Sequence, residues 1–403
     1  MIEPGALSGL RVVDLTRVLA GPLCTMWLGD MGADVIKIER PGRGDDTRSW
    51  GPPYAGTESA YFLGVNRNKR SLTLDLTAEP GRDVLAQLIR KADIVVDNFK
   101  IGTLDRWGFG DEWYDVNAPQ AIRCTISGYG SSGPKEGLPG YDFILQGETG
   151  LMSITGEADG ESMKVGVAMV DICTGMLATI SVLGALEARR RTGKGQRTEA
   201  SLHDSGIQML ANVASNHLIS GDDAQRFGNG HPNIVPYRTF ATADGDLVVA
   251  VGNDDQFRRF ADVLGHPEWA DDERFVRNQD RVHNREAMDD AVAACLITGT
   301  RAEWIQMLEP LGIPAGPINS ISEALASEQT LARDMVANVE HPTAGSISLV
   351  GIPFKMFGTA PSIRLAPPTL GQHSGEVLSQ ELGLDSNTID ELVAVGITTL
   401  ETT

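Results

Sequence analysis

Short apolar runs alternate with helical patterns along the first 130 residues, and this alternation constrains the fold more than any other feature of the chain. Runs rich in β-branched residues predict strands at 10–15, 35–38, 72–76, 94–96 and 121–126. Between them, 23–31 and 81–91 carry apolar residues at helical spacing. We therefore predict an α/β fold with a parallel sheet in a Rossmann-like large domain. Such sheets bind ligands at the carboxyl ends of their strands.

A chain of 403 residues is too long for one compact core, so we expect two domains, or one large domain with an insertion. The pattern changes near Gly228, where a hairpin is predicted over 237–251, followed by helices at 256–264, 285–295 and 301–311. A further strand pair is predicted over 346–355. We predict a large domain of residues 1–225 and 326–403, and a smaller α+β domain of residues 226–325.

Charge and motif content exclude several classes of function. The net charge of −20 argues against nucleic acid or an anionic membrane surface as partner. The chain has no GxGxxG and no GxxxxGK[ST] motif, so a nucleotide redox cofactor is not expected. Its four cysteines lack CxxC or metal-ligand spacing, which predicts reduced thiols, no metal and a cytoplasmic location. No signal peptide is apparent, and the most apolar segment, 172–186, is shorter than a membrane span.

Asp171 stands between the apolar run 165–170 and a long apolar segment, 172–188, that predicts a helix. We expect Asp171 at a strand-to-helix corner, where the helix dipole favours the ionised carboxylate. A charged carboxylate among apolar neighbours is a candidate nucleophile. The alternative is a helix N-cap, a position that Asp prefers, and location alone favours this cap.

Several cations fall near the ends of predicted strands. Arg40 ends the second strand, and the basic run 66–70 precedes the third. Asn98 and Phe99 follow the fourth strand, and Arg106 lies shortly after them. Cations gathered at the ligand-binding edge of a sheet predict a polyanionic ligand whose flat ring Phe99 could cover. The alternative for each cation is that it is simply solvated.

Motifs spread over essentially the whole chain carry a resemblance to a known family. They are LRVVDLT (10–16) with AGP (20–22), GADVIKIE (32–39), NKRS (68–71), DNF (97–99), SGYG (127–130), GYD (140–142), Asp171, TGKGQ (192–196), HPN (231–233) and LGQH (370–373). With these motifs the chain resembles the class III CoA-transferases. That family includes formyl-CoA transferase, the carnitine CoA-transferases and the succinyl-CoA-dependent dicarboxylate CoA-transferases.

The resemblance implies that Asp171 is the nucleophile, and this outweighs the N-cap alternative. Asp171 would attack an acyl-CoA thioester, pass through a mixed anhydride to an aspartyl-CoA thioester, and deliver CoA to a carboxylic acid. Backbone N–H groups of a Gly-rich loop would stabilise the oxyanions. The family fold also implies an interlocked, ring-like homodimer. The residues implied to contact CoA or line its channel are Val18, Leu19, Ala20, Arg40, Leu74, Thr77, Asn98, Phe99, Arg106, Gly140 and Tyr141, with Arg40 and Arg106 at the phosphates.

Three alternatives to transfer remain. The α-methylacyl-CoA racemases of the same superfamily pair the Asp with a His in a Gly-His-Asp segment, where this chain has Tyr141. A tyrosine with its ordinary pKa near about 10 is a poor base at neutral pH, which favours transfer. A catalytically silent CoA-binding protein would keep the CoA contacts while Asp171 caps a helix. A nucleotide-dependent oxidoreductase is disfavoured by the missing Gly-rich motif.

Two segments bear on the acceptor acid. Formyl-CoA transferase has consecutive glycines where residues 252–256 here are GNDDQ, so formate and oxalate are not expected as acceptors. Residues 228–237 (GNGHPNIVPY) are similar to enzymes that use succinyl-CoA with dicarboxylates such as glutarate or malate. His231 within this stretch either serves that function or is a structural loop histidine.

Overall fold

The computed structural model describes residues 5–400. Their strands are β1 (Arg11–Leu15), β2 (Asp34–Glu39), β3 (Tyr54–Ala55), β4 (Glu58–Ser59), β5 (Lys69–Thr73), β6 (Ile94–Asp97), β7 (Ile122–Ser127), β8 (Arg197–Ser201), β9 (Tyr237–Thr242), β10 (Gly245–Ala250), β11 (Ala315–Pro317), β12 (Val336–His341) and β13 (Gly345–Val350). Their α-helices are α1 (Ala20–Asp30), α2 (Ala60–Val65), α3 (Glu79–Arg90), α4 (Thr103–Arg106), α5 (Asp111–Asn117), α6 (Asp142–Glu148), α7 (Met169–Thr192), α8 (Leu202–Met209), α9 (Ala211–Ser220), α10 (Asp254–Val263), α11 (Asn278–His283), α12 (Arg285–Leu296), α13 (Arg301–Leu308), α14 (Ile321–Ala326), α15 (Glu328–Ala332), α16 (Ser374–Glu376) and α17 (Ser386–Ala394).

Six parallel strands form the main sheet, in the order β5-β2-β1-β6-β7-β8, which confirms the predicted α/β class. Central strand β1 pairs with β2 on one side and β6 on the other, so that Val12 lies opposite Val35 and Ile94. The chain moves outward from β1 through β2 to β5 and then returns to β6 on the opposite side. The loops after β1 and β6 therefore diverge and leave a crevice at the carboxyl edge of the sheet.

Amphipathic helices cover the faces of this sheet. On α3, Val84, Leu85, Leu88 and Ile89 are buried at helical spacing, and they belong to the core cluster that contains the apolar side chains of β1, β2 and β5. The 3.6-residue period places these four side chains on one face, which is why this segment folds as a helix against the sheet. The predicted helices at 23–31 and 81–91 are confirmed as α1 and α3.

The strand predicted over 72–76 begins earlier in the structure. The apolar run predicted it over 72–76, whereas β5 spans Lys69–Thr73. Lys69 and Arg70 lie inside the strand because acidic partners meet them: Lys69 Nζ lies 3.0 Å from Asp14, and Arg70 pairs with Asp34 at 2.6 Å. The basic run 66–70 is therefore structural, and the predictions that it binds a ligand or is solvated are both wrong.

Residues near the C-terminus cover the outer edge of β5. The backbone N–H of Ser71 donates to Nδ1 of His373, and the N–H of His373 donates back to the carbonyl of Ser71 at 2.9 Å. The N–H of Thr73 donates to the hydroxyl of Ser374 at 3.2 Å. The edge strand thus has hydrogen-bond partners on both sides, which an open sheet edge lacks.

Helix α7 is the longest helix among the described residues, with 24 residues. It ends at Gly193, which has φ of 71° and donates its N–H to Arg189, as an αL C-cap does. Its length and mean hydropathy would suffice to cross a membrane, so the prediction that the apolar segment is too short is wrong. Buried helices of folded domains pass the same test, and α7 packs on α1, β7 and β8.

Contacts divide the chain into two units. The first comprises residues 1–150, 165–210 and 328–403, and the second comprises residues 151–164 and 211–327. The first contains the six-stranded sheet; the second contains the antiparallel sheet β11-β10-β9 and helices around Phe257 and Phe260. The hairpin predicted over 237–251 is confirmed as β9–β10, while the pair predicted over 346–355 lies earlier, as β12–β13. The predicted domain limits stay a prediction.

Candidate active site

Asp171 is the third residue of α7, and it does not cap the helix. The N-cap is Ala168, whose side chain makes no capping hydrogen bond, and residues 165–167 form no strand. Both the N-cap alternative and the predicted strand-to-helix corner are therefore wrong. The cap comes from Asp142 of α6, whose Oδ1 accepts the N–H groups of Val170 at 2.8 Å and Asp171 at 3.2 Å.

Among residues 5–400, the structure records no hydrogen bond to the carboxylate of Asp171. Burial raises the pKa of the Asp171 carboxyl to about 7, and the negative charge of Asp142 adds to the rise. The helix dipole led us to expect that the ionised form is favoured, but desolvation and a like charge act against it here. A carboxylate with few hydrogen-bond donors and a raised pKa, lying in a cleft, is a functional-site candidate.

Asp171 lies in the wall of a cleft of about 350 Å³ that opens at the carboxyl edge of the sheet. We call it the second cleft, to distinguish it from the neighbouring first cleft that Arg40 lines. Seven of the residues implied to contact CoA line the same cleft: Val18, Leu19, Ala20, Asn98, Phe99, Gly140 and Tyr141. Its cationic side chains are Arg17 and Lys100. Loops that follow β1, β6 and β7 thus converge on the carboxylate, as the predicted sheet requires.

A neighbouring first cleft, of about 310 Å³, holds most of the remaining predicted contacts. Arg40, Leu74 and Thr77 line it, together with Phe99. Arg17, Phe99 and Lys100 line both clefts, so the two are continuous along one wall. Together they offer an elongated site with cations along its length, which suits a long polyanionic ligand.

Arg106 lines neither cleft. Its guanidinium donates to the hydroxyl of Thr103 at 2.8 Å, and Thr103 lines the first cleft. Arg106 and Arg40 are both exposed. Arg40 therefore lies in the wall of the first cleft, whereas Arg106 contacts that wall only through Thr103.

Phe99 is held in place from two sides. Its ring meets Trp107 edge-on at 5.3 Å, and its backbone N–H donates to the Asp97 carboxylate at 3.2 Å. Burial raises the pKa of Asp97 to about 6, against the opposing hydrogen bond from Thr125. An aromatic side chain fixed between two clefts could cover a planar ring of the ligand.

Close backbone contacts at two glycines hold the cleft walls together. A Cβ on Gly128 would lie 2.5 Å from the backbone nitrogen of Gly140, so these loops meet without space for a side chain. A Cβ on Gly175 would lie 2.7 Å from the carbonyl oxygen of Ala20. Gly175 follows Asp171 by one turn of α7, so this contact fixes the distance between the carboxylate and the start of α1.

Sequence reasoning missed two groups near Asp171. It gave Asp142 no role, although this carboxylate caps α7. Burial raises the pKa of Tyr61 to about 12, and the charges of Asp171 and Asp142 add to the rise, which places the Tyr61 hydroxyl in their field. The Tyr61 ring packs edge-on against Trp50 at 5.3 Å. No local pattern links α2 to α7, so only the fold brings these residues together.

His231 lies in the second unit, in the loop between α9 and β9. Its Nδ1 accepts the N–H of Asn233 at 3.0 Å, and its ring packs on Tyr237. These contacts are those of a loop histidine. Within residues 5–400, no group of three or more His, Cys, Asp or Glu side chains is arranged to hold a metal ion.

Comparisons with known proteins agree on one family. The model of a family described as CoA-transferase family III matches residues 7–374. The sequence is 43% identical over 391 residues to a succinyl-CoA:glutarate CoA-transferase of Mus musculus, covering 97% of this chain and 90% of that protein. It is 42% identical over 380 residues to a succinate–glutarate CoA-transferase of Agrobacterium fabrum, covering 93% and 95%. The crystal structure of a CaiB/BaiF family protein from Brucella suis matches with a TM-score of 0.81 and 40% identity, covering 94% and 100%.

Proposed function

The chain belongs to CoA-transferase family III, and from this premise we propose that it moves CoA from succinyl-CoA to a dicarboxylic acid through a thioester on Asp171. The observation that carries the proposal is the place of Asp171. Its carboxylate is partly buried, has no hydrogen-bond donor among the described residues, and lies in one cleft wall with residues 17–20, 98–99 and 140–141.

The proposed reaction consists of four balanced acyl exchanges. A carboxylate oxygen of Asp171 attacks the donor thioester carbonyl, the C–S bond breaks, and a mixed anhydride and CoA thiolate form. The thiolate attacks the aspartyl carbonyl and releases the donor acid, leaving aspartyl-CoA. The acceptor carboxylate attacks this thioester and gives a second anhydride and the thiolate. The thiolate then attacks the acceptor's acyl carbon and releases Asp171. A carboxylate is suited to this cycle because its anhydride and thioester both remain reactive, whereas a hydroxyl would form a more stable ester.

Two features of the site support this chemistry. Burial destabilises the ionised form of Asp171, as its raised pKa indicates, so less solvation has to be removed before it attacks. Leu19 and Ala20, at the start of α1, line the same cleft. The first N–H groups of a helix have no acceptor within the helix. They are candidates to stabilise the oxyanions of the tetrahedral intermediates.

The choice of substrates rests on the relatives. Two proteins that are 42–43% identical over nearly the whole chain are named for succinate or succinyl-CoA and glutarate. We propose succinyl-CoA as donor and a C4–C5 dicarboxylate as acceptor. The stretch 228–237 led to the same expectation, and the GNDDQ sequence at 252–256 argued against formate and oxalate as acceptors.

We also propose that the enzyme is an interlocked homodimer in the cytoplasm. Apolar side chains on α6 and α7 support the dimer, since Phe143, Ile144, Met176 and Ile180 are 47–63% exposed. Apolar faces of this kind mark protein contacts. Light scattering behind a sizing column should give about twice the mass of one 43.2 kDa chain.

The function is tested by incubating the purified protein with succinyl-CoA and a panel of carboxylic acids, beside Asp171→Ala. Mass spectrometry should find a new acyl-CoA with the wild type only, and glutarate or a related dicarboxylate should be the best acceptor. Hydroxylamine should displace CoA from the aspartyl thioester and leave a hydroxamate on the Asp171 peptide. A silent CoA-binding protein would bind CoA and give neither product.

The racemase alternative predicts a different result in the same assay. A 2-methylacyl-CoA would exchange its α-proton for deuterium, and no acid would accept CoA. Tyr141 stands where the racemases have the His of their Gly-His-Asp segment, so we expect no such exchange.

A further inference from the structure

Val18 has an unusual backbone conformation beside the proposed nucleophile. Its φ is 71°, in the left-handed region that β-branched residues rarely adopt. Strain of this kind persists only where the surroundings hold the backbone in place. Val18 lines the second cleft with Asp171, between β1 and α1.

Hydrogen bonds hold the two residues that precede Val18. Thr16 donates its N–H and its hydroxyl to Oδ1 of Asp14, at 2.9 and 2.6 Å. Asn98 bonds Arg17 twice, accepting its N–H at 3.0 Å and donating to its carbonyl at 2.7 Å. These contacts fix the loop up to Val18 but do not reach Val18 itself.

One buried ion pair spans the loop at Val18. Oδ1 of Asp45 accepts the Val18 N–H at 3.3 Å, and Oδ2 accepts from Nζ of Lys37 at 2.9 Å. The same Nζ donates to the carbonyl of Thr16 at 2.8 Å. Both side chains are fully buried. The pair therefore holds the loop at the carbonyl of Thr16 and at the N–H of Val18.

Asp45 is itself fixed and ionised. Its backbone N–H donates to Glu39 at 3.0 Å, and Oδ1 also accepts the N–H of Thr47 at 3.0 Å. Burial alone would raise the pKa of Asp45, but Lys37 and the Thr47 hydrogen bonds lower it to about 2. A rigid, charged acceptor is suited to hold a strained N–H.

We propose that the Lys37–Asp45 pair is a positioning device for CoA transfer, which holds Val18 in its left-handed conformation so that residues 17–20 keep their place beside Asp171. The inference rests on the proposed function. A general contribution to stability explains the pair less well, because a buried ion pair is weak evidence for stability. The pair Arg67–Asp30, at the other end of α1, is as deeply buried and has no contact with the loop.

The test uses Asp45→Asn, with and without Val18→Gly, in the full-length enzyme. The Val18 N–H and Lys37 bind different oxygens of Asp45, and Asn replaces one of these oxygens by an NH2 group that cannot accept, so one of the two bonds is lost. We expect kcat for transfer to fall about 10- to 100-fold, more than KM rises, since small displacements near a nucleophile have effects of this size. Glycine adopts φ near 71° without a steric penalty. Adding Val18→Gly to Asp45→Asn should therefore raise kcat at least about tenfold above that of Asp45→Asn alone.

Two further variants separate positioning from folding. Asp30→Asn breaks the matched pair at the far end of α1, and it should lower Tm while kcat stays within about twofold. If Asp45→Asn does not fold, Lys37→Met with Asp45→Asn removes both buried charges, and Val18→Gly is tested in that background.

The outcomes are distinct. A Val18→Gly variant that recovers nothing, or an Asp30→Asn variant that loses kcat as strongly as Asp45→Asn, overturns the positioning role while wild-type transfer stands. A wild type that transfers CoA to no acid overturns the proposed function, and the positioning role falls with it.

Discussion

The carboxylate of Asp142 accepts the backbone N–H of Asp171 at 3.2 Å, so the helix that carries the proposed nucleophile begins against a second negative charge. The contact has two effects. It satisfies N–H groups at the start of α7, and its charge raises the pKa of the carboxyl that it positions.

The pH dependence of transfer should follow Asp171. The nucleophile must be ionised, so kcat/KM should rise with pH through about 7 and level off above it. Asp142→Asn keeps an acceptor for the two N–H groups and removes the like charge, so the acidic limb should move to lower pH. Rate profiles between pH 5 and 9 measure this shift. A limb that stays in place would show that the Asp142 charge does not act on Asp171.

Stability should depend on pH through the same group. The pKa of Asp171 is about 7 in the folded chain and near about 4 when unfolded, so the folded state holds the proton more tightly. The wild type therefore loses stability as pH rises from about 4 to 7. Asp171→Asn has no such loss, so its Tm should exceed that of the wild type by a few degrees at pH 8 and by little at pH 4. Asp290→Asn, the same change at an exposed position on α12, is the control variant.

Arg40 should act on binding more than on turnover. Among the described residues its guanidinium has no ion-pair partner, and it lines the first cleft, where we expect CoA phosphates. Arg40→Gln should raise KM for succinyl-CoA about tenfold and leave kcat within about twofold. The reason is that the contact between Arg40 and a CoA phosphate would be equally strong in the ground state and the transition state. The difference should shrink at high salt. Arg258→Gln, on the second unit and paired with Asp255, is the matched control and should leave KM unchanged.

Gly175 should be required for both stability and rate. A Cβ there would meet the Ala20 carbonyl at 2.7 Å, so Gly175→Ala must push α1 away from α7. We expect a loss of about 1–3 kcal/mol in the free energy of unfolding and a lower kcat, since Asp171 moves relative to the start of α1. A Cβ at Gly184, on the same helix, would have no atom within 4 Å. Gly184→Ala should therefore keep kcat and gain up to about 1 kcal/mol of stability. Equal effects at both positions would contradict this account.

Periodicity and the family motifs predicted the sheet and the positions of most candidate site residues. The strand at Ile94–Asp97 and the hairpin β9–β10 lie where apolar alternation indicated, and the predicted family is confirmed. Parallel strands bring their carboxyl ends to one edge, so Val18, Asn98 and Tyr141 share a cleft although far apart in sequence.

Two of the errors involve charges that the fold neutralises or creates. Lys69 and Arg70 suggested a loop because their acidic partners, Asp14 and Asp34, are distant in sequence. The ionised form of Asp171 was expected from one helix dipole, whereas burial and Asp142 decide its pKa. A lysine inside the apolar strand β2, Lys37, was the one local sign that a buried acid had to exist nearby.

The residues that cover the outer edge of β5 are synthesised about 300 positions after the strand itself. At translation rates of about 5–20 residues per second, that separation corresponds to roughly 15–60 s. During this interval the nascent sheet can form from β5 to β8 while one edge remains open to pairing with another chain. Chains truncated before His373 should therefore aggregate during synthesis, although every residue that lines either cleft is already present.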